Sequence, residues 1–398
     1  MKKSMLLVAV AMLAGAGMTG CNPSAGSNSG DTEKTIIGLV TDVGSINDHS
    51  FNEACWKGVQ EFVGNHSDSL TAKYKQPAND STNDRISAVT SLVNDGAKVV
   101  VMPGYKFNST IKSVQETYPN VLFLTVDCDP SDDDNNYAAY EFKNNVTSIK
   151  YYEHHSGYFA GYAAVKDGYT GLGFVGGMAV PAVAKYGEGY VAGAEQAAKD
   201  MGLADNAIKM NYWYSGSFTP SDAIKTKATS FYSSGTEVIF SCGGGIYSSV
   251  LSAAVDANTT LGSKDCKMIG VDVDQSTESE LVITSAFKKM QPLVNEYLEN
   301  AYTNIDYKTG TPVFATDVAG KLIYKGVQDG DIDEGTNAVG LPTETDSWRL
   351  TNWTVDEYKA FFKSVKAGTV VIPEIDGTTA DPTSVFTGLT KVKLTYVA

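Results

Sequence analysis

Apolar runs of strand length alternate with helical patterns along most of this chain. The run TIIGLV (35–40) predicts a strand, and the segment after it predicts a helix with Phe51, Cys55, Val59 and Phe62 on one face. Continuous Val, Ile and Leu runs of this kind are typical of parallel strands that are covered on both faces. Two more strands complete this first series, predicted at 97–104 and 120–127.

A second series follows the acidic loop DPSDDDNNY. A helical pattern precedes its first strand and separates each later pair of strands. Two such series in tandem predict an α/β protein with two doubly wound lobes, in which ligands bind at the carboxyl ends of the strands. The strands of the second series are predicted at 171–178, 206–214, 237–245 and 267–274.

Polar residues and glycines follow the predicted strands at the ends where this architecture opens. Asp42 and Asp127 follow strands of the first series, and Asp272 follows the last strand of the second. Glycines end two other strands, at 176–177 and 243–245. This regular placement predicts a ligand cleft between the two lobes.

The first residues differ from the rest of the chain. Lys2 and Lys3 precede an apolar run too short to span a bilayer, and small residues follow it. Met18-Thr19-Gly20-Cys21 resembles a bacterial lipobox, so we expect a lipoprotein signal peptide at 1–20 and a lipid-bearing Cys21. A polar tether then runs over 21–33. The alternative is a plain secretory signal in which Cys21 has no role.

Charge and composition exclude several classes of protein. With 42% hydrophobic and 19% charged residues the chain is a globular protein, and its 398 residues favour two domains. The formal charge is −15, and removing Lys2 and Lys3 makes it −17. Such an acidic protein is a poor partner for nucleic acid. The other cysteines are expected to be buried thiols: Cys55, Cys128, Cys242 and Cys266.

No catalytic or metal-binding constellation stands out. The chain has four histidines, which we expect to be solvated or capping residues. The loop 329–340 starts like a calcium loop, but Glu334 replaces the required glycine and Gly340 the bidentate glutamate. Phosphate-binding and hydrolase motifs are also absent. We therefore expect no catalytic residue, no metal site and no cofactor.

Binding is the remaining interpretation. Phe51 and Phe218, one in each predicted lobe, suit stacking on a flat heteroaromatic ring, although the helical phase of Phe51 also allows packing in the core. Carboxylates accept hydrogen bonds from hydroxyl or ring N–H groups, Asn52 can donate and accept, and Lys288 donates. One lysine among three aspartates has the wrong sign for a phosphate. The set fits a nucleoside or a sugar.

The segment TDVGSINDHSFNEACWKG (41–58) is similar to the TDxGxxxDxSFNxxxxxG signature of the basic membrane protein family. Members of that family are purine-nucleoside-receptor-like lipoproteins that serve ABC importers. The resemblance extends over about residues 35–375. It implies a type I periplasmic-binding-protein fold, with two Rossmann-like lobes joined by three crossings. Later blocks that match in order are YFAGYAA, GFVGGM, YSGSF, GGG, GVDVDQ and TSAFKK.

The resemblance also implies ligand contacts in the first lobe. Asp42 matches the aspartate after the first strand. Phe51 matches the aromatic residue that stacks on the base, and Asn52 the amide beside it. Asp127 matches the aspartate that bonds the base or the ribose.

Four further residues complete the implied site. Phe218 matches the second stacking aromatic residue, and Gly244 a backbone contact. Asp272 and Lys288 match the pair that holds the ribose hydroxyls. The resemblance implies binding without a cofactor and without bond-making.

We therefore expect a membrane-anchored lipoprotein that captures nucleosides and delivers them to an ABC permease, and the family implies purine nucleosides in particular. A same-fold receptor for a sugar or another small solute, a sensing or surface lipoprotein, and a nucleoside hydrolase stay open as alternatives. The expected first lobe comprises 34–146 and about 272–312. The expected second lobe comprises 147–271 and about 313–376, and a C-terminal extension covers 377–398.

Overall fold

The computed structural model describes residues 34–135, 140–261, 265–306 and 310–397. The predicted signal peptide, the predicted tether and Cys21 lie outside these residues. Within them, no helix has both the length and the apolar character that crossing a bilayer requires.

Strands and helices alternate along the described residues, as the hydrophobic pattern predicts. The strands are β1 (Thr35–Val40), β2 (Leu70–Lys75), β3 (Ala97–Pro103), β4 (Leu122–Val126), β5 (Val146–Tyr151), β6 (Gly171–Gly176), β7 (Ile208–Tyr214), β8 (Val238–Cys242), β9 (Lys267–Asp272), β10 (Val282–Lys288), β11 (Ile305–Asp306), β12 (Thr311–Pro312), β13 (Lys321–Lys325), β14 (Val339–Gly340) and β15 (Val392–Val397). The helices are α1 (Phe51–Asn65), α2 (Thr82–Asn94), α3 (Asn108–Thr117), α4 (Glu153–Lys166), α5 (Pro181–Asp200), α6 (Asp222–Ser233), α7 (Tyr247–Leu261), α8 (Met290–Thr303), α9 (Val355–Lys366) and α10 (Pro382–Val385).

The first lobe is built on a parallel sheet in the order β13-β5-β4-β3-β1-β2. Helices α1 and α8 cover one face of the sheet, and α2 and α3 cover the other. Cys55, Val59 and Phe62 of α1 are buried against the sheet, as their spacing predicts. Burial on both faces explains why these strands are continuous apolar runs.

The second lobe has a sheet in the order β14-β10-β9-β8-β6-β7-β15, in which only the β10–β14 pair is antiparallel among the described strands. Helices α4, α5 and α9 pack on one face, and α6 and α7 pack on the other. The cysteines of the two lobes are buried, as expected. The two sheets confirm the predicted type I periplasmic-binding-protein fold.

The chain crosses between the lobes after Tyr151, after Lys288 and after Lys325. These crossings differ from the expected lobe boundaries. Strand β10 was expected in the first lobe, but it pairs with β9 in the second sheet. All seven of its residues are buried, as an inner strand covered on both faces requires. Strand β13 was expected in the second lobe, but it pairs with β5 at the edge of the first sheet. The first segment of the first lobe was expected to end at residue 146, but it continues to the end of β5 at Tyr151.

The C-terminal extension folds onto the second lobe. Its strand β15 pairs in parallel with β7 and becomes the edge of the second sheet. The buried carboxylate of Glu195, on α5, accepts hydrogen bonds from the backbone N–H groups of Thr390 (2.9 Å), Lys391 (2.9 Å) and Val392 (2.8 Å). Glu195 therefore fixes the start of β15.

Replacing Glu195 by glutamine is expected to lower the free energy of unfolding at neutral pH by roughly 2 kcal/mol, because charge-assisted hydrogen bonds are lost. Burial acts to raise the pKa of Glu195, but hydrogen bonds from the N–H groups of Thr390 and Val392 and from the Lys199 side chain outweigh it and lower the pKa to about 2. This stability is therefore complete above the ordinary glutamate pKa and is lost as the pH falls toward about 2.

Urea unfolding of the wild type and the variant at several pH values measures this difference, with the exposed Glu116→Gln as the control. The gap between the wild type and Glu195→Gln should narrow in acid. A gap that stays constant with pH would show that the carboxylate charge does not anchor β15.

Candidate functional site

A cavity of about 400 Å³ lies between the carboxyl ends of the two sheets. Its wall contains every residue that the sequence analysis singled out for ligand contact. The first lobe and the second lobe each supply four of them: Asp42, Phe51, Asn52 and Asp127, then Phe218, Gly244, Asp272 and Lys288. The polar strand ends thus meet in one interlobe cleft.

Three tyrosines of the cavity wall were missed: Tyr105, Tyr186 and Tyr247. Tyr105 and Tyr247 come shortly after the glycines that end β3 and β8, so the strand-end rule used for the aspartates could have found them. Tyr186 lies on the second turn of α5, where nothing in the sequence distinguishes a residue that faces a cleft from one that faces the core.

The loop between β1 and α1 is held by its own carboxylates. Asp42 Oδ1 accepts hydrogen bonds from the N–H groups of Val43 (2.5 Å) and Gly44 (2.8 Å). Asp48 accepts from the N–H groups of Asn52 (3.0 Å) and Glu53 (3.1 Å), which belong to the first turn of α1. Asp48 therefore satisfies N–H groups that a helix start leaves without partners.

Asn52 links these two carboxylates. Its amide nitrogen donates to Asp42 Oδ1 (3.1 Å) and to Asp48 Oδ2 (3.0 Å), and its side chain is buried. Its amide oxygen accepts a hydrogen bond from the Asp42 N–H (3.4 Å). Because both amide hydrogens are used inside the loop, only this oxygen has further capacity, for one more hydrogen bond from a ligand. This geometry favours a role in shaping the loop over the direct ligand contact that the sequence suggested.

The two phenylalanines lie on opposite sides of the lobe boundary, and both are partly buried. Phe51 is the first residue of α1, and its ring centroid lies 4.8 Å from Lys288 Nζ. Phe218 follows β7 and packs on Gly177 and Gly243. A Cβ at Gly243 would lie 3.1 Å from the Phe218 ring, and one at Gly177 would overlap it. Glycine at these strand ends therefore leaves room for the aromatic ring.

A buried charge cluster surrounds Lys288, which lies in the cavity wall. The Lys288 ammonium forms an ion pair with Asp127, and it lies 3.7 Å from Asp272 Oδ1 and 3.7 Å from Glu153 Oε1. Burial raises the pKa of Asp127 to about 6, although Lys288 opposes this effect. Burial also raises the pKa of Asp272. Three carboxylates and one ammonium give the cluster a net negative charge when all are ionised.

Asp127 and Asp272 hold corresponding positions in the two lobes, at the ends of β4 and β9. Both have backbone φ angles in the left-handed region, 54° and 68°. Non-glycine residues in this region are strained and are common at functional sites. Asp127 Oδ1 is buried and has no hydrogen-bond partner among the described residues, so a ligand donor would satisfy it.

Contacts between the lobes close the cleft beside this cluster. Ser50 Oγ donates to Asp272 Oδ2 (2.7 Å), and Gln275 Nε2 donates to the His49 carbonyl oxygen (3.0 Å). The His49 ring also pairs with Glu278 at 3.0 Å. These three contacts join the two lobes directly beside the cluster.

The histidines differ in part from expectation. His154 is almost completely buried in α4, so the expectation of a solvated or capping histidine is wrong there. Burial and the nearby His155 and Lys185 lower its pKa to about 3, which keeps it neutral. The tight packing of α4 on α5 explains this burial. In the part of the chain that the structure describes, no group of His, Cys, Asp and Glu side chains could hold a metal ion.

A family model described as ABC transporter substrate-binding protein PnrA-like matches residues 36–315. The chain is 29% identical over 311 residues to the ABC transporter nucleoside-binding protein BmpA of Lactococcus lactis, an alignment that covers 74% of this chain and 84% of that protein. It is 28% identical over 323 residues to basic membrane protein A1 of Borrelia garinii, an alignment that covers 80% of this chain and 85% of that protein.

Solved structures with the same fold include ABC transporter solute-binding proteins. One from Aeropyrum pernix superposes with a TM-score of 0.66 at 17% identity, covering 86% of this chain and 94% of that chain. Another from Conexibacter woesei gives a TM-score of 0.60 at 18% identity, covering 85% of this chain and 98% of that chain. The chain therefore belongs to the basic membrane protein family of PnrA-like ABC transporter substrate-binding proteins, which bind a substrate and are not enzymes.

Proposed function

We propose that this protein captures a nucleoside, and more specifically a purine nucleoside, and presents it to the permease of an ABC importer. The observation that carries this proposal is the cleft itself, which combines one phenylalanine from each lobe with a buried carboxylate–lysine cluster. An aromatic ring from each lobe suits a flat base. Carboxylates with unused oxygens suit the hydroxyl groups of a ribose.

In this proposal the base stacks between Phe51 and Phe218, with the backbone at Gly244 beside it. Asp272 and Lys288 hold the ribose hydroxyls, and Asp127 accepts a hydrogen bond from the base or the ribose. Asp42 and Asn52 hold the loop that carries Phe51. A nucleotide is disfavoured because its phosphate would approach the negative cluster around Lys288. The name of the Lactococcus relative supports a nucleoside as the ligand.

We further propose that the mature protein is anchored by lipid at Cys21, outside the described residues, on the outer face of the cell membrane. The lipobox-like residues 18–21 and the polar tether support this anchor. Mass spectrometry of the mature N-terminus tests it, since an unmodified Cys21, or cleavage elsewhere, would rule it out.

Thermal unfolding of the purified protein tests the ligand class. The panel comprises adenosine, guanosine, inosine, uridine, cytidine, adenine, ribose and glucose. A ligand at a hundred times its Kd adds about 2.7 kcal/mol to the stability, which gives a clear rise in Tm. Purine nucleosides should raise the Tm, whereas ribose and adenine alone should not. If a sugar raises it and no nucleoside does, the proposal fails and the sugar-receptor alternative is favoured.

Replacing Phe218 by alanine is expected to weaken nucleoside binding by roughly tenfold, because one stacking surface worth about 1–3 kcal/mol is removed. Phe51→Ala should have a similar effect. Isothermal titration calorimetry measures both, with Phe386→Ala as the control, since Phe386 is also partly buried but lies outside the cavity wall. Equal affinities for the wild type and both cleft variants would show that stacking contributes nothing to binding.

A further inference from the structure

Glu153 is a buried glutamate that sequence reasoning did not find. Its side chain is 1% exposed, and neither carboxylate oxygen has a hydrogen-bond partner among the described residues. A buried carboxylate in this state needs a physical explanation. Glu153 is the first residue of α4, where the helix dipole favours a negative charge, and its Oε1 lies 3.7 Å from Lys288 Nζ.

The position of Glu153 in the fold distinguishes it from the other two carboxylates of the cluster. Glu153 comes directly after the first crossing between the lobes, and Lys288 directly precedes the second. Asp127 belongs to the first lobe and Asp272 to the second, and both line the cleft. Glu153 is absent from the cavity wall, so it approaches the ammonium from the side of the crossings.

Lys288 therefore has counter-charges on two sides. With Glu153 present, part of the attraction on the ammonium is directed away from the cleft. Without Glu153, the ammonium would be drawn entirely to Asp127 and Asp272, and their oxygens would be less available to a ligand. At these short distances and in a buried site, such charge interactions are strong compared with those in water.

We propose that Glu153 is a positioning residue of the binding site, which holds the Lys288 ammonium from the side of the lobe crossings so that Asp127 and Asp272 can accept hydrogen bonds from the ligand. This inference rests on the proposed nucleoside-binding function. It also connects the ligand-binding carboxylates to two of the crossings between the lobes.

A pH dependence provides a readout that a purely structural glutamate would not change. Burial raises the pKa of Asp127, and the negative charge of Glu153 raises it further. The Lys288 ammonium opposes both effects, and the resulting pKa of Asp127 is about 6. Asp127 accepts hydrogen bonds at both oxygens only when it is ionised, so affinity should fall as the pH drops below about 6. Other titratable groups around Asp127 are Asp272, Lys150, Tyr151, Tyr186 and Cys55.

The test compares Glu153→Gln with the wild type by titration with guanosine, which represents the purine nucleosides, from about pH 4.5 to about 8. At about pH 8 we expect the affinity of Glu153→Gln for guanosine to be lower than that of the wild type by at least about fivefold. This factor corresponds to the smallest of the usual coupling free energies between two sites that do not touch each other. The pH midpoint of the affinity loss should also move down, because the pKa of Asp127 falls. Glu153→Asp should be intermediate.

Glu188→Gln is the matched control. Glu188 lies on α5 in the same lobe and is equally buried, but it lies outside the Lys288 cluster. This variant should keep the wild-type affinity and the wild-type pH midpoint. If Glu153→Gln also keeps both, the proposal is overturned.

A ligand-free measurement separates this inference from the proposed function. The ¹³C signal of the Asp127 carboxyl group, assigned by its loss in Asp127→Asn, should titrate at lower pH in Glu153→Gln than in the wild type. If guanosine binds no form of the protein, the nucleoside proposal fails, and an unchanged Asp127 midpoint would overturn the inference as well. If Glu153→Gln does not fold, wild-type affinity and midpoint in Glu153→Asp would overturn it.

Discussion

Replacing Asp127 by asparagine is expected to weaken nucleoside binding by roughly a hundredfold, which corresponds to about 2.7 kcal/mol. Asp127 Oδ1 is buried and lacks a partner among the described residues, and the other oxygen is paired with Lys288. A carboxylate can accept from the ligand and from the ammonium together. An amide has only one oxygen, so its NH₂ group must face either the ammonium or the ligand's donor.

Isothermal titration calorimetry with guanosine measures this loss, and Asp68→Asn, at an exposed turn, provides the same chemical change away from the cleft. Circular dichroism of the ligand-free variant should match the wild type, because Lys288 keeps Asp272 and Glu153 as neighbours. An affinity for Asp127→Asn close to that of the wild type would show that this carboxylate does not contact the ligand.

Replacing Gly161 by alanine is expected to lower the free energy of unfolding by roughly 3 kcal/mol, at the upper end of the usual cost of overpacking. Helices α4 and α5 pack backbone to backbone through glycines on both sides. A Cβ on Gly161 would overlap the carbonyl oxygen of Tyr190 and lie 2.9 Å from the Ala194 nitrogen. Backbone atoms cannot move aside by changing rotamer, so the two helices would have to separate.

Gly64→Ala is the matched control for this experiment. Gly64 lies in α1, and apart from its own helical neighbours no described residue has an atom within 4 Å of where its Cβ would be. Alanine at this position should therefore stabilise the helix by up to about 1 kcal/mol. Urea unfolding of both variants measures the contrast. Equal stability of Gly161→Ala and the wild type would mean that α4 and α5 can separate without cost.

Because α4 begins at Glu153 and α5 carries Tyr186, a separation of these two helices should also weaken ligand binding.

The sequence was most informative where one physical rule acts alone. Buried parallel strands must be continuous apolar runs, so β1, β3 and β9 were predicted near their observed limits. Carboxyl strand ends must meet at the opening of such sheets, so Asp42, Asp127 and Asp272 were placed in the cleft wall.

Elements whose pattern is weaker were missed. Strand β2 lies at the edge of the first sheet, and its sequence LTAKYK is mostly polar because only its first residue is buried. Strand β10 was not predicted as a strand, although every residue in it is buried. The three displaced lobe boundaries follow because β5, β10 and β13 were not predicted as sheet strands.

The finer parts of the site depend on contacts between distant residues. Asn52 has the right chemistry for a ligand contact, but its hydrogen bonds to Asp42 and Asp48 become visible only when the loop is folded. Glu153 is adjacent to Lys288 only because two crossings between the lobes meet there. Neither spacing nor composition carries that information.

A crystal structure of the protein with guanosine tests the proposed function most directly. We expect one nucleoside in the interlobe cleft, with its base between Phe51 and Phe218, its ribose hydroxyls at Asp272 and Lys288, and a ligand donor at Asp127. A cleft that holds no guanosine under saturating conditions, or a guanosine that contacts neither phenylalanine, would contradict the proposed function.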